Sequence, residues 1–196
     1  MKPPTKTSVW NEEVRVELDL LYRTMVIEDL PRFEQAEAHA INGRGFYRNL
    51  GDELNGIPWW FIACAHMLEC DFDFEEHLHN GDPLSHRTVN EPAGRPVVGH
   101  PPFTFHDSAV DALTMPGKEF QFVKDWSIPH ALWLLEGYNG HGYRLYHAIN
   151  SPYLFAGTTQ YTKGKYIRDH VYDPEAVSIQ PGCAGLIKLL IAGGEA

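Results

Sequence analysis

The sequence predicts a mainly α protein of the α+β class: a helical domain with a small irregular β-containing lobe at about residues 71–104. Three observations carry this. Apolar residues recur at helical spacing over residues 11–41. Residues 59–70 are apolar on almost every side, the pattern of a helix with no solvent face. Residues 71–104 hold five prolines, Pro83, Pro92, Pro96, Pro101 and Pro102, with Gly81, Gly94 and Gly99 between them, which breaks regular structure.

The elements follow in order. Residues 1–10 read as a loose tail, and 11–196 as a single domain. Val14, Leu18, Leu21 and Met25 place a first helix at 11–30. Pro31 opens a second, to about Ile41, because proline suits a first helical turn. Asn42 to Gly45 reads as a break and Gly51 to Gly56 as a loop. Pro58 then stands before the buried run Trp59 to Cys70, which Glu69 closes on the face of Ile62, Ala65 and His66. In the lobe, Arg87 to Asn90 is expected to pair with Arg95 to Val98 around a Pro-Ala-Gly turn. Phe72, Phe74 and Leu78 read as its packing. Asp107 or Ser108 is expected to cap a short helix to Met115, and Ser127 another with Pro129 in its first turn. Gly185 to Ala192 reads as a last apolar helix.

Composition narrows the function. Sixteen Lys and Arg against 26 Asp and Glu give a formal charge of −10, a poor match for nucleic acid. Protonating all eleven histidines would bring it to +1, so the surface field should depend on pH. No apolar run approaches the roughly 18 residues of a membrane span, and the first ten residues do not read as a signal peptide. Cys64, Cys70 and Cys183 read as buried thiols rather than a disulfide framework.

Glu69 is the first candidate for chemistry. A carboxyl at the end of a wholly apolar helix is desolvated and meets the negative end of the helix dipole. Both effects favour its protonated form, which is what a glycosidic general acid needs. The structural alternative is an acid paired at the helix end. Asp82, in His79-Asn-Gly-Asp-Pro83, is a candidate second carboxylate. An inverting glycosidase holds such a group about 6.5–9.5 Å from the acid. The same residues are also good turn chemistry, and Asp71 and Asp73 compete for the role. Thr88 follows Asp82 by six residues.

Three separate segments then resemble the lysozyme superfamily, in particular goose-type lysozymes, soluble lytic transglycosylases and phage endolysins. Ile62-Ala-Cys-Ala-His-Met-Leu-Glu69 resembles the buried helix that ends in the family's general acid. Gly137-Tyr-Asn-Gly-His-Gly-Tyr143 is similar to a Tyr-Asn-Ala-Gly segment lining the sugar cleft. Tyr161-Thr-Lys-Gly-Lys-Tyr-Ile-Arg-Asp169 is similar to a Gly-x-Tyr-x-x-Asp stretch of goose-type domains. Asp82 and Thr88 are spaced as in phage-type lysozymes, though farther from the Glu than in that pattern. His77 to Leu84, with Arg87-Thr88 and Pro92 to Pro96, looks like a group of uncharacterised bacterial and phage lysozyme-like proteins.

The resemblance implies a lysozyme-like fold and cleavage of β-1,4 bonds in peptidoglycan. It implies Glu69, Asp82 and Thr88 in catalysis and Tyr138, Asn139, Gly140, Tyr143, Gln160 and Tyr161 along the sugar. No cofactor or metal is implied. The expected partner is a glycan polymer, with no nucleic acid and no membrane span. An endolysin of this kind would wait in the cytoplasm for a holin-type route to the wall. The acidic charge departs from wall-degrading enzymes and suits a cationic polymer such as chitosan. A lytic transglycosylase, a chitosanase or chitinase, and a non-catalytic sugar-binding module are the alternatives. A metal on His77, His79 and His86, or on His66 and Glu69, is a rival, as is a cysteine nucleophile at Cys64 or Cys70.

Overall fold

The computed structural model describes residues 3–168 and 170–195. Its contacts divide the chain into two compact units, Met1–Glu37 with Asp125–Ala196, and Ala38–Lys124. The mainly helical expectation holds. The α-helices are α1 Glu12–Thr24, α2 Leu30–Glu53, α3 Trp59–Cys70, α4 Phe105–Thr114, α5 Ile128–Asn139, α6 Pro152–Phe155 and α7 Cys183–Ala192. A short 3-10 turn, Phe120–Phe122, and a π-helical turn, Tyr143–His147, complete the helical part. No described helix is long and apolar enough to cross a membrane. Cys64, Cys70 and Cys183 are free and buried, as expected.

The first unit is built on α1, α5, α6 and α7. Asn11 caps α1 by accepting the N–H of Val14 at 3.0 Å. Val14 and Leu18 are fully buried on its inner face. The helix stops at Thr24, short of the expected residue 30. Beyond it the backbone is drawn off: Val26 and Glu28 bond to Thr159 and Gly157, and Ile27 bridges Thr158. The Lys188 ammonium reaches the freed carbonyls of Met25 and Tyr22 at 2.8 and 3.3 Å, closing the helix end. Residues 3–10, read as a loose tail, are tied down. Pro4 is buried, the Thr5 N–H donates to Glu17 at 2.5 Å, and Trp10 stacks on His130 at 4.7 Å.

The β structure is not where the sequence put it. The described strands are β1 Lys165–Arg168 and β2 Val171–Asp173, an antiparallel pair with Lys165 opposite Asp173 and Tyr166 opposite Tyr172. The lobe at 71–104 holds only an isolated bridge, Glu76 to Pro83. The expected pairing of 87–90 with 95–98 reduces to Thr88 with Arg95. Side chains take the N–H groups that a neighbouring strand would have needed: Val89 and Asn90 donate to Asp82, and Arg95 donates to Thr88.

The second unit is centred on α3. Ten of the helix's twelve residues are buried, as its apolar pattern predicts. The expected break at Asn42 to Gly45 does not occur, nor does the loop begin at Gly51, because α2 runs on to Glu53. Two of its three glycines serve packing rather than interruption. A Cβ on Gly43 would lie 2.5 Å from the Tyr47 ring, and one on Gly51 would meet the Ile57 carbonyl. Thr104, not Asp107 or Ser108, caps α4. Asp107 supplies the reciprocal half of a capping box.

Candidate active site at the end of the buried helix

Glu69 sits in the last turn of α3 and is half-buried, between half-buried Leu68 and buried Cys70. One turn earlier His66 is wholly buried. Tyr47 donates its hydroxyl to His66 Nδ1 at 2.8 Å, and His66 Nε2–H donates to the Asp73 carbonyl at 3.0 Å. Phe105 and Phe74 lie 4.3 and 4.6 Å from the ring. Burial pulls the imidazole down to about 4, so it is neutral at neutral pH. Both nitrogens are already engaged, which removes His66 as a metal partner for Glu69.

Asp71, in left-handed conformation, ends α3, and the chain folds back onto it. His77 N–H donates to the Asp82 carbonyl at 2.6 Å and Leu84 N–H to the Glu75 carbonyl at 3.1 Å. The tip of this loop rests on the backbone of Glu69. Gly81, at φ +77°, lies so close that a Cβ would come within 2.7 Å of the Glu69 carbonyl oxygen. The charges around Glu69 are mixed. The carboxylates of Glu69 and Glu76 add to burial in pushing the Cys70 thiol up, which leaves it inert as a nucleophile. Burial draws the Lys118 ammonium down to about 8, opposed by the Glu69 carboxylate.

Asp82 is brought to this loop but with its oxygens filled. Oδ2 accepts from Val89 N–H at 2.7 Å, Asn90 N–H at 2.9 Å and Asn80 Nδ2 at 3.1 Å, and Oδ1 accepts from Asn90 Nδ2 at 2.6 Å. Burial raises its proton affinity, but these donors outweigh burial and hold the carboxyl below its usual range. Thr88 is 3% exposed; its hydroxyl donates to the Pro92 carbonyl at 2.6 Å and accepts from Arg95 N–H at 2.9 Å. Both residues shape the lobe.

The sequence marked Ser108 only as a helix cap and Arg95 only as a strand end, and did not mark Asp111, yet these three organise the lobe's histidines. The rings of His77 and His79 lie 5.7 Å apart. The Ser108 hydroxyl stands 2.9 Å from His77 Nδ1 and 3.3 Å from His79 Nδ1, and it accepts from Leu78 N–H at 3.0 Å. His77 Nε2 donates to the His86 carbonyl at 2.8 Å, and His79 Nε2 meets Asp111 at 2.9 Å, with Arg95 at 3.3 Å on the same carboxylate. Ser108 is wholly buried, so this serine–histidine–aspartate chain is closed to substrate. Among the described residues no group of His, Cys, Asp and Glu is placed to hold a metal.

The expected sugar-binding residues belong to the other unit and form two groups. Tyr138, half-buried, and Asn139, exposed, end α5, and Gly140 caps it at φ +92°. Gln160 and Tyr161 lie on the loop before β1. Gln160 lines two adjoining cavities, of about 620 and 280 Å³, and Tyr161 lines the smaller. Tyr143 is a core residue whose hydroxyl accepts from Tyr166 N–H at 3.2 Å. The Tyr161 hydroxyl donates to the Gly164 carbonyl and accepts from Ser178 N–H, each at 3.2 Å. Asp169, the end of the third resembling segment, lies outside the described residues. The chain matches no known protein family, curated protein or solved structure.

Proposed function

We propose that the protein cleaves the β-1,4 linkage of an amino-sugar polymer, peptidoglycan first, with Glu69 protonating the leaving oxygen. The observation that carries this reading is the position of Glu69. It is a half-buried carboxyl in the last turn of a helix whose other residues are almost all buried. Such a setting limits water around an acid while leaving one edge of it in reach of a ligand. The loop seated on the Glu69 carbonyl through Gly81 fixes the backbone from which the acid projects. The resemblance of residues 62–69, 137–143 and 161–169 to the lysozyme superfamily supports the same class of substrate.

The full engagement of Asp82 favours one variant of this chemistry. A carboxylate already accepting four hydrogen bonds is poorly suited to take a proton from water. Without Asp82 as a base, Glu69 protonates the departing oxygen, and the Glu69 carboxylate so formed takes the proton of the 6-hydroxyl of the N-acetylmuramyl unit as that oxygen attacks the same anomeric carbon. The glycosidic bond breaks and an anhydro sugar forms, as in lytic transglycosylases.

The test is mass spectrometry of the soluble fragments released from purified peptidoglycan, with chitosan in parallel. Anhydro-muropeptides support the single-acid reading, and reducing-end muropeptides support hydrolysis with another base. Glu69→Gln should fold normally and lose about 10²-fold or more of the activity. Full turnover by that variant would remove Glu69 from catalysis. Fragments from chitosan alone would move the substrate to a cationic glycan.

A further inference from the structure

Helix α1 has a second apolar edge that its packing does not use. Val14 and Leu18 face the core, yet Val16 and Leu20, one turn apart, are 49% and 54% exposed. They do not stand in open solvent. The amino-terminal segment runs beside them, held at Thr5 by Glu17 and by the Arg144 guanidinium at 3.0 Å. Asn150 and Gln160 close the third side, tied to each other at 2.9 Å and to Thr24 at 3.1 Å. Between these walls lies the cavity of about 620 Å³.

Its lining has a consistent chemistry. Val16, Leu20 and Leu21 give an aliphatic floor, with Glu12, Glu13 and Glu17 around it, and among the described residues no Lys, Arg or His lines it. Glu12 is neutralised by Arg15 at 2.6 Å, and Glu17, at 3.0 Å from Arg144, shares that guanidinium with Glu136. Among the described residues Glu13 has no such cation. Among the described residues no aromatic side chain lines this cavity, and they supply no platform on which sugar rings stack.

We propose that this cavity binds a short cationic peptide segment in which a Lys or Arg stands beside an aliphatic residue. The aliphatic side chain covers Val16 and Leu20, and the cation meets Glu13. The Asn150 and Gln160 side chains line the side along which the peptide backbone would run. The site lies in the unit that does not contain Glu69, and it stands whether or not the protein cleaves glycans.

The experiment uses the full chain and a fluorescein-labelled Leu-Lys-Leu-Lys amide, with a Leu-Glu-Leu-Glu amide as control. Fluorescence anisotropy should show saturable binding of the basic probe, weakened by salt, and none of the acidic one. Glu13→Lys and Leu20→Asp, both at exposed positions, should each weaken it about tenfold while circular dichroism stays unchanged. Amide shifts in the 15N spectrum should centre on Val16, Leu20 and Gln160. Absence of saturable binding, equal binding of the two probes, or indifference to both substitutions would overturn the proposal. Displacement of the probe by an uncharged N-acetylglucosamine oligomer would overturn it too, by marking a glycan site.

Discussion

The Arg144 guanidinium lies 2.6 Å from the Glu136 carboxylate, with the two side chains only 2% and 1% exposed. Arg144 Nε bonds both carboxylate oxygens at 3.0 Å, while Nη1 turns to Glu17 and the Thr5 carbonyl. The pair therefore joins α5, the π-helical turn, α1 and the amino-terminal segment in one network.

Removing one partner of this pair should cost much more than removing both. Burial raises the proton affinity of Glu136, and the guanidinium beside it is what opposes that. Glu136→Leu strands a buried cation, and Arg144→Met a buried carboxyl. Each should lower unfolding free energy by about 3–5 kcal/mol. The double variant Glu136→Leu with Arg144→Met should lose much less than the sum. Urea unfolding of the four proteins gives the coupling directly, and additive losses would show that the pair does not act as a unit.

Asp82→Asn should unsettle the lobe without abolishing chemistry. An amide cannot accept from all the donors that surround the carboxylate, so about 2–3 kcal/mol of stability should go. Because the carboxyl is held below its usual range, its contribution is complete above the unfolded value of about 3.9 and is lost as pH falls below it. Turnover by the folded fraction of Asp82→Asn should remain, whereas Glu69→Gln should lose about 10²-fold. An equal loss in both variants would make Asp82 a reacting group.

The sequence was most legible where one physical signal stood alone. Residues 59–70 have no polar face, so α3 was placed almost to the residue. Pro129 marked the first turn of α5 for the same kind of reason. It was least legible where two residue types carry opposite meanings. Gly43 and Gly51 look like helix breakers but are contact points against Tyr47 and Ile57. Asp82 and Thr88 look like reacting groups, yet their oxygens replace a missing strand for Val89, Asn90 and Arg95. Ser108 reads locally only as a helix cap, and Asp111 carries no local signal. They lie some thirty residues beyond the histidines they meet, and only the fold brings them there.

Acid should destabilise the protein through His66. Its folded value of about 4 lies below the unfolded value near 6.5, so the unfolded chain binds the proton first. Stability is complete above about 6.5 and falls as pH drops towards 4. By pH 5 the loss from this residue alone should be about 2 kcal/mol. Thermal melts between pH 7 and 5 measure the slope, and His66→Gln should flatten it. An unchanged slope in that variant would place the acid sensitivity elsewhere, His79 being the next buried imidazole, also drawn down to about 4.

Gly185 and Phe33 should behave as one packing unit. Gly185 lies on α7 and Phe33 near the start of α2, and both are fully buried. A Cβ on Gly185 would overlap the edge of the Phe33 ring. Backbone conformation gives no reason for glycine here, since residue 185 is helical and alanine is the better helix former by about 1 kcal/mol. Close approach is the reason. Gly185→Ala should therefore destabilise by about 1–3 kcal/mol, against its helix propensity. Phe33→Leu removes ring atoms and leaves a cavity, so it should also destabilise alone. Together the added methyl occupies space that the ring gave up, and the double variant should be more stable than the sum of the two losses predicts. Chemical denaturation of the three variants measures that coupling, and strict additivity would mean that helix α7 shifts away from Phe33 instead of pressing on it.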